Sequence, residues 1–156
     1  MNLFLDSHQE LLIALLHHDV DFIIIGGYAV IFHGYHRTTG DMDIWLNPEN
    51  DNKWKLIKAL EVFGIEHHAL QELATLDFQQ HHVFHIGVEP EKIEFLTHIN
   101  GVLFDKANRI KIIADIDELK IPFLHFNHLI LSKINTGRLK DQADIEELQK
   151  IHLYTK

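Results

Sequence analysis

The apolar positions of this chain change period several times, and each change marks an element. Leu11, Leu12, Leu15 and Leu16 recur at helical spacing and predict an amphipathic helix over Asp6–His18, with Asp6 or Ser7 as its cap. The β-branched run behind it predicts a buried strand over Asp21–Ile25, stopped by Gly26-Gly27. Tyr28, Ala29, Ile31 and Phe32 return to helical spacing as far as Gly34. From Asp41 to Leu46 the alternation has period 2. Asp41 and Asp43 share one strand face, while Met42, Ile44 and Leu46 share the other, which can join the core. Asn47-Pro48 closes that strand. A helix over Glu49–Phe63 is predicted next, turning Trp54, Ile57, Leu60 and Phe63 inward and ending at Gly64.

Downstream the signal is weaker at first. Ile65–Gln80 carries only a short helix, over Leu70–Leu76. His82–Val88 and Lys92–Ile99 read as the strands of a hairpin around Glu89-Pro90-Glu91. Ile93 and Phe95 face one way, Glu94 and Leu96 the other. Asn100-Gly101 turns the chain, and Arg109–Ala114 and Ile121–Phe126 read as further strands. Asn127 can cap a helix through Leu129, Ile130 and Ile134 to Gly137. Lys140–Leu153 reads as a final helix with Ala143, Leu148 and Ile151 inward. These elements imply one α+β (α/β-like) domain over residues 1–156, a small mixed sheet flanked by helices.

Composition narrows the picture. The chain has 156 residues, 46% of them apolar, enough for a substantial core and too many for a disordered chain. No apolar run approaches the roughly 18 residues of a transmembrane helix. The first residues carry acids through their apolar stretch and lack a basic leader, so they read as a helix and not a signal peptide. The absence of cysteine excludes disulfides and thiolate metal sites, and fits a cytoplasmic location. A formal charge of −9 disfavours duplex DNA as a partner, but not a metal-screened nucleotide in a local pocket. The 14 histidines, with pairs at 17–18, 67–68 and 81–82, fall in no two-ligand helical motif and read mainly as surface or polar-core residues.

Two constellations carry chemistry. Asp41 and Asp43 sit at a strand end reached from a glycine turn, an arrangement suited to Mg²⁺ (or Mn²⁺) beside a polyphosphate. A bland alternative is a pair of solvated acids after a turn. Glu94, on a strand among apolar neighbours, is the candidate third acid; its bland alternative is an exposed strand acid. The second constellation is Lys133, Arg138, Lys140, Asp141 and Asp144. Lys133 or Lys140 can hold a β- or γ-phosphate. Asp141 and Asp144 are explained without function, as acids at a helix N-terminus.

Gly26-Gly27, Arg37, Thr39, Asp41 and Asp43 together resemble the signature of the polymerase-β-like nucleotidyltransferase superfamily. More narrowly they resemble its small bacterial branch, written GG and then R-x-T-x-D-x-D. That branch includes antibiotic nucleotidyltransferases and the nucleotidyltransferases of abortive-infection toxin–antitoxin systems. The resemblance is specific here and looser downstream, where Lys133 and R-x-K-D-x-x-D from Arg138 to Asp144 are similar to the family's C-terminal pattern. It implies a sheet that gathers three acids and a transfer of a nucleoside monophosphate from an NTP, ATP being the first expectation. The acceptor would be a small molecule, a protein or an RNA end, with pyrophosphate released. Asp41, Asp43 and Glu94 would be catalytic and metal-binding, and Gly26, Gly27, Arg37, Thr39, Lys133 and Lys140 would serve the nucleotide. Two departures stand out. KIEFL places Glu94 where the family usually has Asp, and Gly27 stands where many members have a phosphate-contacting Ser, leaving backbone N–H groups or Thr39 to compensate. Arg37 reads equally as a phosphate ligand or as the partner of Asp41 or Asp43. A second function class stays open: a non-catalytic nucleotide- or partner-binding half of a toxin–antitoxin pair.

Overall fold

The computed structural model describes residues 3–154. Among these, β1 (Phe22–Ile25), β2 (Met42–Leu46), β3 (Val83–Ile86), β4 (Ile93–Leu96), β5 (Ile112–Ile116) and β6 (Leu119–Phe123) form one sheet in the order β3-β4-β2-β1-β6-β5. The helices are α1 (Asp6–His17), α2 (Gly26–Phe32), α3 (Asn50–Phe63), α4 (His67–Ala74), α5 (Phe104–Ile110), α6 (Phe126–Lys133) and α7 (Leu139–Tyr154). The α+β class with a mixed sheet is as the periodicities imply. None of these helices is long and apolar enough to cross a membrane.

The sheet's centre is its most apolar part. All four residues of β1 are buried, as are Met42, Ile44, Trp45 and Leu46 of β2 and Ile93 and Phe95 of β4. Burial on both faces explains why β1 reads as an unbroken apolar run. The pairing mixes directions: β1 runs antiparallel to β2, β2 parallel to β4, and β3 antiparallel to β4. The parallel pair matters most for function. It sets Asp43 level with Glu94, while the β1–β2 pair sets Asp43 opposite Ile25, beside the glycine turn.

Several local expectations are corrected by tertiary contacts. Trp54 lies outward at 50% exposure, because its neighbour Lys53 takes the inward position. The Lys53 Nζ donates to the Ala74 and Leu76 carbonyls at 3.0 and 2.7 Å, closing the end of α4, and lies 4.7 Å from the Trp54 ring centre. The predicted strand from Arg109 is partly helix: α5 runs to Ile110, held by buried Phe104 and Ala107, and β5 begins only at Ile112. Helix α4 spans His67–Ala74 instead of Leu70–Leu76. The cap of α6 is His125, whose Nδ1 accepts the Asn127 N–H at 3.0 Å, so Asn127 lies inside the helix. At α1 the cap position is Leu5, with no side-chain cap, and Ser7 Oγ is buried without a partner. In α7 Ala143 faces solvent; the inward stripe is Asp141, Asp144 and Leu148, with Ile151 half-buried.

Candidate active site

The turn from β1 into α2 has no room for side chains. Gly26 holds φ +68°, and a Cβ there would overlap the Asp43 carboxylate, whose Cγ would be 2.9 Å away. A Cβ on Gly27 would overlap the Thr39 hydroxyl, with Thr39 Cβ at 2.6 Å. Both glycines are therefore places where a functional group presses against the backbone. The Thr39 hydroxyl occupies the space that a side chain at position 27 would take.

Asp41, Asp43 and Glu94 line one open cavity of about 340 Å³, together with Gly27, Thr39, Gly40, Arg138 and Lys140. Sequence alternation expects this convergence, and the β2–β4 register produces it. The acids are crowded. Burial first, then the hydrogen bond to Glu94 and the charges of Glu94 and Asp41, push Asp43 up to about 7. Asp41 Oδ1 is buried with no hydrogen-bond partner, and Asp41's other oxygen is 3.8 Å from Lys92 Nζ. A fourth acid joins them. Glu89, from the turn between β3 and β4, is raised by its hydrogen bond to Asp41 and then by burial. Glu89 was not singled out in sequence; its only signal was an acidic turn beside the strand that carries Glu94.

Arg37 is not the partner of Asp41 or Asp43; it and Lys133 meet two acids of α7. Arg37 holds Asp144 in a fork, Nε to Oδ1 at 2.8 Å and Nη2 to Oδ2 at 3.0 Å, and so pairs with neither Asp41 nor Asp43. Lys133, 7% exposed, lies 3.0 Å from both Asp141 and Asp144. Asp141 also accepts from Thr136 Oγ1 at 2.7 Å and Arg138 Nε at 2.8 Å. Burial pushes the Asp141 carboxyl up, but these donors outweigh it and hold it below the usual range. Asp141 and Asp144, each 1% exposed, are thus the buried anions of a clasp between α6, α7 and the segment leading to Asp41. Their position near the start of α7 hid this, because a helix N-terminus explains an acid equally well. Lys140 makes no ion pair among the described residues and faces the cavity of the acids.

Among the described residues, no three or more histidine, cysteine, aspartate or glutamate side chains form a group that could hold a metal ion by themselves. Mg²⁺ does not ask for one: it typically takes one or two carboxylates and completes its shell with water and substrate phosphates. An unpartnered Asp41 oxygen beside a carboxylate pair that resists full ionisation fits that demand.

A mixed sheet with adjacent strands presenting paired acids over a glycine turn defines a nucleotidyltransferase-fold domain. Two solved structures share the fold. One is the lincosamide antibiotic adenylyltransferase LnuA with lincomycin bound, at 21% identity, TM-score 0.60, covering 97% of this chain and 99% of that one. The other is a protein of Thermotoga maritima described as a candidate nucleotidyltransferase, at 13% identity and TM-score 0.58, covering 92% and 90%. No match is found among curated proteins. Residues 3–153 match the family described as nucleotidyltransferase of unknown function (DUF6036), and the chain belongs to that family.

Proposed function

We propose that the protein moves a nucleoside monophosphate from an NTP, ATP first among them, to a hydroxyl of a small molecule, releasing pyrophosphate. The observation that carries this reading is the alignment of Asp43 with Glu94 across β2 and β4, with Asp41 on the same cavity wall. Asp41 and Asp43 would hold a divalent cation, which would supply charge neutralisation for the triphosphate. The Gly27 backbone N–H and the Thr39 hydroxyl would donate to its phosphates; the Thr39 hydroxyl lies against Gly27, where the side chain of the family's serine would begin. Lys140 provides a free cation for the far phosphates, acting as a point charge. Arg37 acts indirectly: clamped by Asp144, it props the strand of residues that ends in Thr39 and Asp41. LnuA is a lincosamide adenylyltransferase, so lincomycin is a rational first acceptor beside a cleared bacterial lysate.

The test follows the bond that breaks. With Mg²⁺ or Mn²⁺, α-labelled ATP should label the acceptor and γ-labelled ATP should label only pyrophosphate. Asp43→Ala should lose the transfer by orders of magnitude. Appearance of γ-label on the acceptor, or undiminished α-label transfer by Asp43→Ala, overturns the reading.

A further inference from the structure

A second cavity of about 350 Å³ adjoins the acid pair and shares Asp43, Glu94 and Arg138 with the first. Its walls are unlike those of the polar cavity: Leu96, Ile99 and Leu129 give it apolar surface, and Asn100 and Ser132 give it hydrogen-bonding groups. The cations that reach it, Lys133 and Arg138, are engaged by Asp141 and Asp144. Such a space suits a compact, partly apolar, hydroxyl-bearing molecule better than a polyanion.

One residue here has a fixed protonation pattern. Glu94, Leu96 and His98 are spaced two apart along β4 and its continuation, and all three line this cavity. His98 is anchored by Thr97, which is fully buried. Thr97 Oγ1 has one hydrogen and two lone pairs. It accepts the His82 N–H at 2.8 Å and lies 2.8 Å from the Gln80 carbonyl, an oxygen that can only accept. The hydroxyl hydrogen is therefore committed to Gln80. The remaining neighbour at 2.9 Å, His98 Nδ1, must then be the donor. That sets His98 in the Nδ1–H tautomer and leaves its Nε2 as a bare lone pair. Burial first, then His81 and His82, hold His98 below the usual histidine range, so it is neutral at neutral pH. Glu94, by contrast, is engaged with Asp43.

Resting on the nucleotidyl-transfer reading, we propose that this second cavity holds the acceptor and that Nε2 of His98 is the base that receives its hydroxyl proton. As the acceptor oxygen bonds to the α-phosphorus, its proton passes to Nε2. The bond from the α-phosphorus to the bridging oxygen breaks, and its electron pair leaves with pyrophosphate. General-base assistance of this kind typically contributes about 10²–10⁴-fold.

Two measurements test it. Imidazole nitrogen NMR of the intact protein should show His98 protonated on Nδ1 and bare on Nε2, with Thr97→Val releasing that preference. In the α-label assay, with lincomycin or the labelled lysate fraction as acceptor, His98→Gln should lower kcat by about a hundredfold or more. The KM for ATP should stay within a few-fold, and added imidazole should partly rescue His98→Ala. A resident Nε2–H tautomer, or a His98→Gln protein that transfers label like the wild type, overturns the inference and leaves the nucleotidyl-transfer reading standing. A wild-type protein that transfers no α-label to either acceptor overturns both.

Discussion

Asp43 is pulled in two directions. Its neighbours on β2 are buried, which fixes the strand, yet its carboxyl is forced against Glu94 and the Gly26 backbone. Because its pKa is raised in the fold, the native state binds a proton that the unfolded chain has already lost between the ordinary Asp value of 3.8 and about 7. Metal-free stability should therefore fall as pH rises through that window, at no more than about 1.4 kcal/mol per pH unit. Asp43→Asn should flatten the slope, and urea titrations at stepped pH check it. Gly27 offers a second residue-level prediction. Gly27→Ser, which restores the family's usual residue, should collide with the Thr39 hydroxyl and cost roughly 1–3 kcal/mol. Adding Thr39→Gly, which removes both the hydroxyl and the Cβ that a side chain at position 27 would meet, should recover part of that loss; denaturant midpoints of the single and double variants decide it.

Elements that could be read from sequence were those whose identity depends on their own spacing. The period-2 alternation of residues 41–46 placed Asp41 and Asp43 on one face whatever lay beyond the strand, and the same logic placed Glu94. Elements whose meaning depends on distant partners were not legible. Nothing near Asp144 announces Arg37, 107 residues away, and nothing near Trp54 announces that Lys53 will be drawn inward by the end of α4. The helix α5 was missed because only Phe104 and Ala107 mark its inner face. The α7 clasp yields its own prediction. Asp144→Ala strands Arg37 and leaves Lys133 with Asp141 alone, and removing one partner of a buried ion pair typically costs about 3–5 kcal/mol. Urea unfolding should show that loss, and kcat should fall with it, because the segment leading to Thr39 loses its prop.

For the molecule as a whole, acid crowding predicts a response to metal. Binding of Mg²⁺ or Mn²⁺ to the native state alone should raise the melting temperature, by an amount equivalent to about 2.7 kcal/mol at a hundredfold excess over Kd. Differential scanning fluorimetry with Mn²⁺ titration checks it, and Asp41→Asn should abolish the shift, since Asp41 holds the unpartnered oxygen.

The clasp also has a meaning in time. Arg37 emerges early from the ribosome, and the carboxylate that neutralises it arrives only with α7. Until then the nascent chain carries two cations meant for burial with nothing to meet them, so the segment leading to Asp41 cannot settle. A chain halted before α7 should therefore bind no nucleotide.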